Sequence, residues 1–168
     1  MTNTKPSNYD TWIAQAEAAC HRLDLDQALD SYLAARELQP DSYPVYLGLA
    51  KVYSRRRQVS EAFEMAEKAA ELAPDQAEPH AMLGMLHFLT DRPQEALTEL
   101  TQALELDPTN PETRLTLSQT YADLKQLGDA QQELDTAREQ IAVIEDPERR
   151  AELEAFAGHA EMYLRLYQ

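Results

Sequence analysis

The segment ALELDPTNPE occupies residues 103–112, and close variants of it lie earlier in the chain. ARELQPDSYP begins at Ala35 and AAELAPDQAE begins at Ala69, so the phrase recurs every 34 residues. Each copy has a proline at the same place: Pro40, Pro74 and Pro108. A fixed period of this length indicates a repeat architecture, in which each unit packs against its neighbours.

With these prolines at position 32 of a 34-residue unit, four units follow one another: 9–42, 43–76, 77–110 and 111–144. Position 20 is alanine in every unit: Ala28, Ala62, Ala96 and Ala130. Position 27 is alanine as well: Ala35, Ala69, Ala103 and Ala137. Position 8 is always small: Ala16, Ala50, Gly84 and Ser118. Small side chains at fixed positions allow two helices to approach closely.

Each unit has the pattern of two amphipathic helices. In the third unit, PHAMLGMLHFL (79–89) predicts the first helix and PQEALTELTQALEL (93–106) the second. Pro93 suits the first position of a helix, where its missing N–H is no loss. The proline at position 32 ends each second helix, because the residue before a proline avoids the α region.

This pattern resembles the tetratricopeptide repeat, whose signature is W-x2-L-G-x2-Y, then A-x3-F, then A and P. The matching residues are Trp12, Ala28, Tyr32, Ala35 and Pro40 in the first unit, Tyr46, Leu49, Ala50, Tyr53, Ala62, Ala69 and Pro74 in the second, Leu83, Gly84, Ala96, Ala103 and Pro108 in the third, and Leu117, Ser118, Tyr121, Ala130, Leu134 and Ala137 in the fourth. The resemblance covers residues 9–144 and implies an all-α fold, a right-handed α-solenoid of four helix pairs.

The chain departs from the signature in its third and fourth units. His80 and His87 take aromatic positions of the third unit, and Arg114 takes one in the fourth. Ala142 stands where the fourth proline would be, so the last helix of that unit is expected to continue to Glu145.

The two ends of the chain lie outside the four units. Residues 1–8 are polar and are predicted to form a disordered lead. Residues 145–168 begin a new helix, with Asp146 as its N-cap and Pro147 at its first position. Its apolar face consists of Leu153, Phe156, Ala157, Ala160, Tyr163 and Tyr167. We interpret this segment as a capping helix, and an incomplete fifth repeat is the alternative.

The formal net charge is −15, from 30 acidic and 15 basic residues. A field of this sign disfavours binding to nucleic acid and to anionic membranes. No stretch approaches the roughly 18 apolar residues of a membrane span. Cys20 is the only cysteine, which excludes an internal disulfide. We therefore expect a soluble, cytoplasmic protein.

No arrangement of residues predicts catalysis or metal binding. His80 and His87 are seven residues apart on one predicted helix, or about 10 Å along its axis, which is too far for one metal ion. There is no Gly-rich phosphate loop, nucleophile elbow or Ser/His/Asp arrangement. The sequence predicts neither an enzyme nor a cofactor.

The family resemblance implies a concave groove lined by the first helix of each unit. Carried over position by position, the candidate groove residues are Ile13, Leu47, Lys51, Arg55, Met82, Met85, Leu89, Thr116 and Gln119. Ile13 and Glu17 stand where the family's carboxylate clamp has its first Lys and Asn, so that clamp is not expected. The prediction is a non-catalytic protein–protein interaction module: an adaptor, scaffold or co-chaperone.

The expected partner is a protein or peptide segment with apolar anchors and a carboxylate. The anchors would meet Met82, Met85 and Leu89, because methionine adapts to varied shapes, and the carboxylate would meet Lys51 and Arg55. In the alternative, neighbouring helices cover the apolar residues and nearby acids such as Glu17 neutralise the two bases. Two other functions stay open: a homodimer formed through the groove or the capping helix, and a chaperone for a secreted protein.

Overall fold

The computed structural model describes residues 8–167, which form nine α-helices and no strand. The helices are α1 (Tyr9–His21), α2 (Leu25–Leu38), α3 (Tyr43–Arg55), α4 (Val59–Leu72), α5 (Ala77–Leu89), α6 (Pro93–Leu106), α7 (Pro111–Asp123), α8 (Leu127–Ala142) and α9 (Pro147–Arg165). From α1 to α8, corresponding helices begin 34 residues apart. The prediction of an all-α fold built from helix pairs is confirmed.

The predicted disordered lead lies outside the described residues except for Asn8. Asn8 has extended backbone angles and is the N-cap of α1. Its side-chain oxygen accepts a hydrogen bond from the Thr11 N–H at 2.8 Å. Asn8 therefore belongs to the first helix pair, because it satisfies a backbone donor that the helix leaves unpaired.

The turn inside each helix pair contains one residue with a left-handed backbone. These residues occupy position 15 of their repeat units: Leu23, Arg57, Asp91 and Lys125, with φ between 57° and 61°. The N–H of the next residue reaches back to a carbonyl five residues earlier, as Asp24 does to Ala19 at 2.9 Å. This hydrogen bond closes the end of the first helix, as in a Schellman motif.

Contacts within the chain define two compact halves, with the boundary between Pro74 and Asp75. The first half contains α1–α4, and its small residues are fully buried: Ala16, Ala28, Ala35, Ala50, Ala62 and Ala69. The ring of Tyr32 on α2 packs directly on Gly48 of α3, where an added Cβ would lie 2.3 Å from ring carbons. Helices α2 and α3 approach this closely because Gly48 has no side chain.

The second half contains α5–α9. Ser118 on α7 is fully buried, and its hydroxyl donates to the Ala130 carbonyl of α8 at 2.6 Å. One buried cluster joins three helices: Leu115 and Ala122 from α7, Ala130, Leu134, Ala137 and Ile141 from α8, and Leu153, Ala157, Ala160 and Leu164 from α9. Helix α9 thus covers the apolar face of the fourth helix pair, as a capping helix does.

The two residues that depart from the repeat signature at position 4, His80 and Arg114, each pair with the glutamate at position 23 of the same repeat unit. His80 is 7% exposed, and its Nδ1 lies 2.8 Å from a carboxylate oxygen of Glu99. Arg114 donates to Glu133 at 2.6 Å and to the Pro108 carbonyl at 3.0 Å. In the third and fourth repeat units a polar pair thus replaces the packing of an aromatic ring.

Helix α8 ends at Ala142, three residues before the predicted end at Glu145. The Ile144 N–H bonds to the Ile141 carbonyl at 3.1 Å, which tightens the chain into a turn. Pro147 then keeps Asp146 out of the α region, at φ −66° and ψ 115°. Asp146 accepts hydrogen bonds from the N–H groups of Glu148 and Arg149 and caps α9.

Candidate functional site

In the first half of the chain, the candidate residues lie on α1 and α3. Lys51 and Arg55 are one helical turn apart and both are exposed, Ile13 is partly exposed, and Leu47 is only 7% exposed. Leu47 is therefore a packing residue beneath this surface, and a partner could not contact it. We call Ile13, Glu17, Lys51 and Arg55 the basic patch, after its two bases.

Arg55 joins α3 to the end of α1. One of its Nη atoms donates to the Cys20 carbonyl at 3.2 Å, in the last turn of α1, where carbonyls carry partial negative charge. Burial raises the pKa of the Cys20 thiol above its usual value, and the positive charges of Arg55 and Lys51 oppose this shift.

The charges of Lys51 and Arg55 are not matched by carboxylates in the described part of the chain. Neither base forms an ion pair with Glu17 or with another acid among residues 8–167. The next base along the chain, Arg56, does pair with Asp26 at 3.0 Å. Two positive charges are therefore open to a partner on a protein whose net charge is −15.

In the second half of the chain, the candidate residues differ in exposure. Met82 and Thr116 are 4% and 7% exposed, Met85 and Gln119 are half-buried, and Leu89 is 62% exposed. The Thr116 hydroxyl donates to the Glu112 carbonyl at 3.0 Å within α7. Met82 and Thr116 are therefore packing residues, and Met85, Leu89 and Gln119 are the ones a partner could touch.

Helix α9 contacts two side chains of α7, the first helix of the fourth repeat unit, which the family resemblance assigns to the groove. Arg149 forms an ion pair with Glu112 at 2.8 Å, at position 2 of the fourth repeat unit. At position 13, Asp123 accepts hydrogen bonds from the hydroxyls of Tyr163 and Tyr167, at 2.7 and 2.6 Å. The chain itself therefore covers the α7 end of the predicted groove.

Aromatic and cationic contacts surround the two tyrosines. The Tyr163 ring meets the Phe88 ring of α5 edge to face, with centroids 6.0 Å apart. The Lys125 ammonium lies 3.6 Å from the centroid of the Tyr167 ring, a cation–π arrangement. The sequence placed both tyrosines on the apolar face of the last helix, but no local pattern identified Asp123 as their acceptor.

The hydrogen bonds to Asp123 favour the neutral form of both tyrosines. Burial, followed by hydrogen bonds with Tyr167 and Asp123, raises the pKa of Tyr163. The hydrogen bond to Asp123 raises the pKa of Tyr167. A group whose pKa is raised by folding stabilises the fold below its unfolded pKa, about 10 for tyrosine, and loses this contribution as the pH rises through the folded pKa.

We therefore expect the two hydroxyls to stabilise α9 up to about pH 10 and to lose this effect above it. The measurement is urea unfolding of the native chain and of a Tyr163→Phe, Tyr167→Phe variant at several pH values. The native chain should be more stable at neutral pH, and the difference should shrink above about pH 10. A difference that stays constant well above that pH would contradict this assignment.

The described residues show neither a metal cluster nor a membrane span. No three His, Cys, Asp or Glu side chains between residues 8 and 167 are arranged to hold a metal ion. None of the helices in that range is both long enough and apolar enough to cross a membrane.

Comparison of the sequence with protein families gives two matches, both described as tetratricopeptide repeat. One covers residues 87–155 and the other covers residues 43–76. Together they include more than half of the chain. No curated protein matches the sequence significantly.

Solved structures share the fold at low sequence identity. TTC0263, a thermophilic tetratricopeptide-repeat protein in Thermus thermophilus, superposes with a TM-score of 0.77 at 21% identity, over 94% of this chain and 84% of its own. YrrB, described as a tetratricopeptide-repeat protein with an unusual peptide-binding site, superposes with a TM-score of 0.65 at 24% identity, over 94% of this chain and 90% of its own. The first tetratricopeptide-repeat domain of Spaghetti (RPAP3), bound to the HSP90 peptide SRMEEVD, superposes with a TM-score of 0.66 at 18% identity, over 74% of this chain and 99% of its own.

Proposed function

Because the chain belongs to the tetratricopeptide-repeat family, we propose that it is a non-catalytic module that binds an acidic segment of a partner protein. The segment would lie on the basic patch of the first half, Ile13, Glu17, Lys51 and Arg55. The observation that carries this proposal is the pair of accessible bases, Lys51 and Arg55, without carboxylate partners among the described residues.

The basic patch suits a carboxylate in position and in chemistry. Lys51 and Arg55 are one helical turn apart, so both can reach one acidic side chain. The contact of Arg55 with the Cys20 carbonyl uses one Nη atom, which leaves other N–H donors of the guanidinium available. On so acidic a protein, a local basic site also selects against unsuitable partners, since acids elsewhere repel the same segment.

An apolar residue beside the carboxylate would meet Ile13, which is half-buried on α1. In the second half, Met85 and Leu89 on α5 form a separate apolar surface for further anchors of the same kind of partner. A likeness in fold supports the class of ligand: the Spaghetti domain is bound to SRMEEVD, a peptide with three acidic side chains. The likeness does not extend to the clamp, because Ile13 and Glu17 replace its first two residues.

The experiment is a synthetic peptide array in which acidic and apolar residues vary independently, probed with the purified chain. The best binder is then measured by calorimetry. We expect peptides in which apolar residues flank an acidic residue to bind. Arg55→Glu should lower the affinity for the best of these peptides about 10- to 100-fold, in keeping with loss of a charge-assisted contact. Met85→Glu should lower the affinity for peptides with several apolar anchors and leave the helicity of the protein unchanged.

Arg57→Glu is the matched control, because it makes the same change in charge two residues from Arg55 in an exposed turn. It should retain most of the affinity. Equal losses of peptide affinity in Arg55→Glu and Arg57→Glu would mean that only the net charge of the protein matters. Unchanged affinity in Arg55→Glu would mean that the interface lies elsewhere. Either result, or an array without acidic binders, would overturn the proposal.

A further inference from the structure

The outward side of α9 is an apolar stripe. Ala151, Ala155, Gly158, Met162 and Leu166 are all exposed, and helical geometry places them within an arc of about 80°. Met162 and Leu166 are 61% and 76% exposed. Of the large apolar side chains that are exposed in residues 8–167, no other two lie on one helical face. This stripe is opposite the buried side formed by Leu153, Ala157, Ala160 and Leu164.

Gly158 has no role in the packing of its own chain. It stands in the middle of the 19-residue helix α9, and a Cβ added there would meet nothing within 4 Å. Glycine lowers the stability of a helix interior relative to alanine. Gly48 and Gly84 differ in this respect, since their added Cβ atoms would collide with Tyr32 and Leu100. A glycine of this kind suits the close approach of another helix from outside.

The stripe is complementary to itself when two copies run antiparallel. We propose that α9 forms a two-fold interface with α9 of a second copy of this chain, centred near Gly158. The small residues lie in the first half of the stripe and the large ones in the second. About this centre, Ala155 of one copy faces Met162 of the other, and Ala151 faces Leu166 of the other. Each large side chain thus meets a small one, and the same contacts occur twice.

Charges favour the same orientation. Glu154 and Arg165 lie on one flank of the stripe, eleven residues apart. A two-fold axis keeps each flank on its own side, so antiparallel pairing brings Arg165 of one copy beside Glu154 of the other. A parallel two-fold pair would instead place Met162 against Met162 and Ala155 against Ala155, and it would put the Glu154 and Arg165 flanks of the two copies on opposite sides of the interface, where they could not pair. Antiparallel helices also align their dipoles favourably.

The size of the interface predicts a weak, reversible dimer. A helix of 19 residues is about 28 Å long, so two such stripes bury less than the ~1,200 Å² of a standard interface. Two chains of net charge −15 also repel each other, although salt near 0.15 M screens this beyond about 8 Å. We therefore expect a dissociation constant in the range of about 10–100 µM.

The test is sedimentation equilibrium of the full chain from about 1 to 500 µM, a range that brackets the expected constant. The average mass should rise from 19.1 kDa toward twice that value. Met162→Glu should remove the rise. Leu106→Glu makes the same kind of change at an exposed leucine of α6, and this control should dimerise like the native chain. Circular dichroism checks that both variants keep their helicity.

A charge exchange tests the orientation. Arg165→Glu should weaken dimerisation at least tenfold, because it sets two acids together at both ends of the interface. Adding Glu154→Arg to the same chain should restore it. A native chain that stays at 19.1 kDa throughout would overturn the proposal. So would dimerisation that survives Met162→Glu, or a double variant no better than Arg165→Glu. The proposed peptide binding uses other residues, on α1, α3 and α5, so either idea can fail alone.

Discussion

Replacing Arg114 by alanine is expected to lower the free energy of unfolding by about 2–4 kcal/mol, because it leaves Glu133 charged and largely buried without a partner. The two side chains are 16% and 18% exposed, and their atoms approach to 2.6 Å. Arg114 also donates a hydrogen bond to the Pro108 carbonyl at 3.0 Å. The measurement is urea unfolding followed by circular dichroism, with the midpoint and slope fitted separately.

Lys68→Ala is the control for this effect. Lys68 and Glu71 form an exposed pair on α4, with side chains 45% and 67% exposed. Exposed pairs of that kind contribute little to stability, because water and salt screen them, so the midpoint should hardly move. Equal shifts for Lys68→Ala and Arg114→Ala would show that burial gives the Arg114 pair no special weight.

The second unit of the repeat suggests how Arg114 and Glu133 could be replaced together. Tyr46 and Met65 occupy the same two positions there. Buried ion pairs replaced by packed apolar groups of similar volume often keep or gain stability. We therefore expect Arg114→Tyr with Glu133→Met to be within about 1 kcal/mol of the native chain or more stable. A double variant less stable than Arg114→Ala would mean that this site does not accept the packing of the second repeat unit.

Replacing Leu164 by alanine is expected to lower the free energy of unfolding by about 2–5 kcal/mol, the range for a cavity left by a buried leucine. Leu164 is 1% exposed and belongs to the cluster that joins α7, α8 and α9. The cavity would loosen α9 from the fourth helix pair. Thermal and urea unfolding below about 1 µM measure the change without a contribution from self-association.

Leu166→Ala is the matched control, since this leucine is two residues away and 76% exposed. Its removal should change stability by no more than about 0.5 kcal/mol. If both variants lost the same stability, α9 would not be docked through the side that contains Leu164. The interpretation of this helix as a cap would then be wrong.

The repeat and its helices could be predicted from the sequence because they depend on short-range order. A 34-residue period with alanine at positions 20 and 27 places a small side chain at the same two points of the second helix in every pair, and all eight alanines are buried. Proline and N-cap residues bound the helices through local backbone chemistry. The left-handed residues of the turns were not predicted, because Leu23, Arg57, Asp91 and Lys125 share no turn signature.

The exposure of the candidate groove residues was decided by tertiary packing. Met82 and Met85 are three residues apart on one helix, yet Met82 is 4% exposed and Met85 is half-buried. Hydrophobic periodicity places both on the same side of α5, but the rotation of the helix against its neighbours determines which one is covered. That rotation depends on how ridges and grooves interlock, which no pattern within a single helix specifies.

The position of α9 was decided in the same way. The sequence identified its apolar face and its cap, Asp146. Only the folded chain brings Tyr163 and Tyr167 within hydrogen-bond distance of Asp123, across 40 and 44 residues. A hydrogen bond requires its atoms to be placed within a few tenths of an ångström. Apolar burial has no direction and tolerates many placements, so an apolar pattern predicts that a helix docks without predicting which polar atoms it meets.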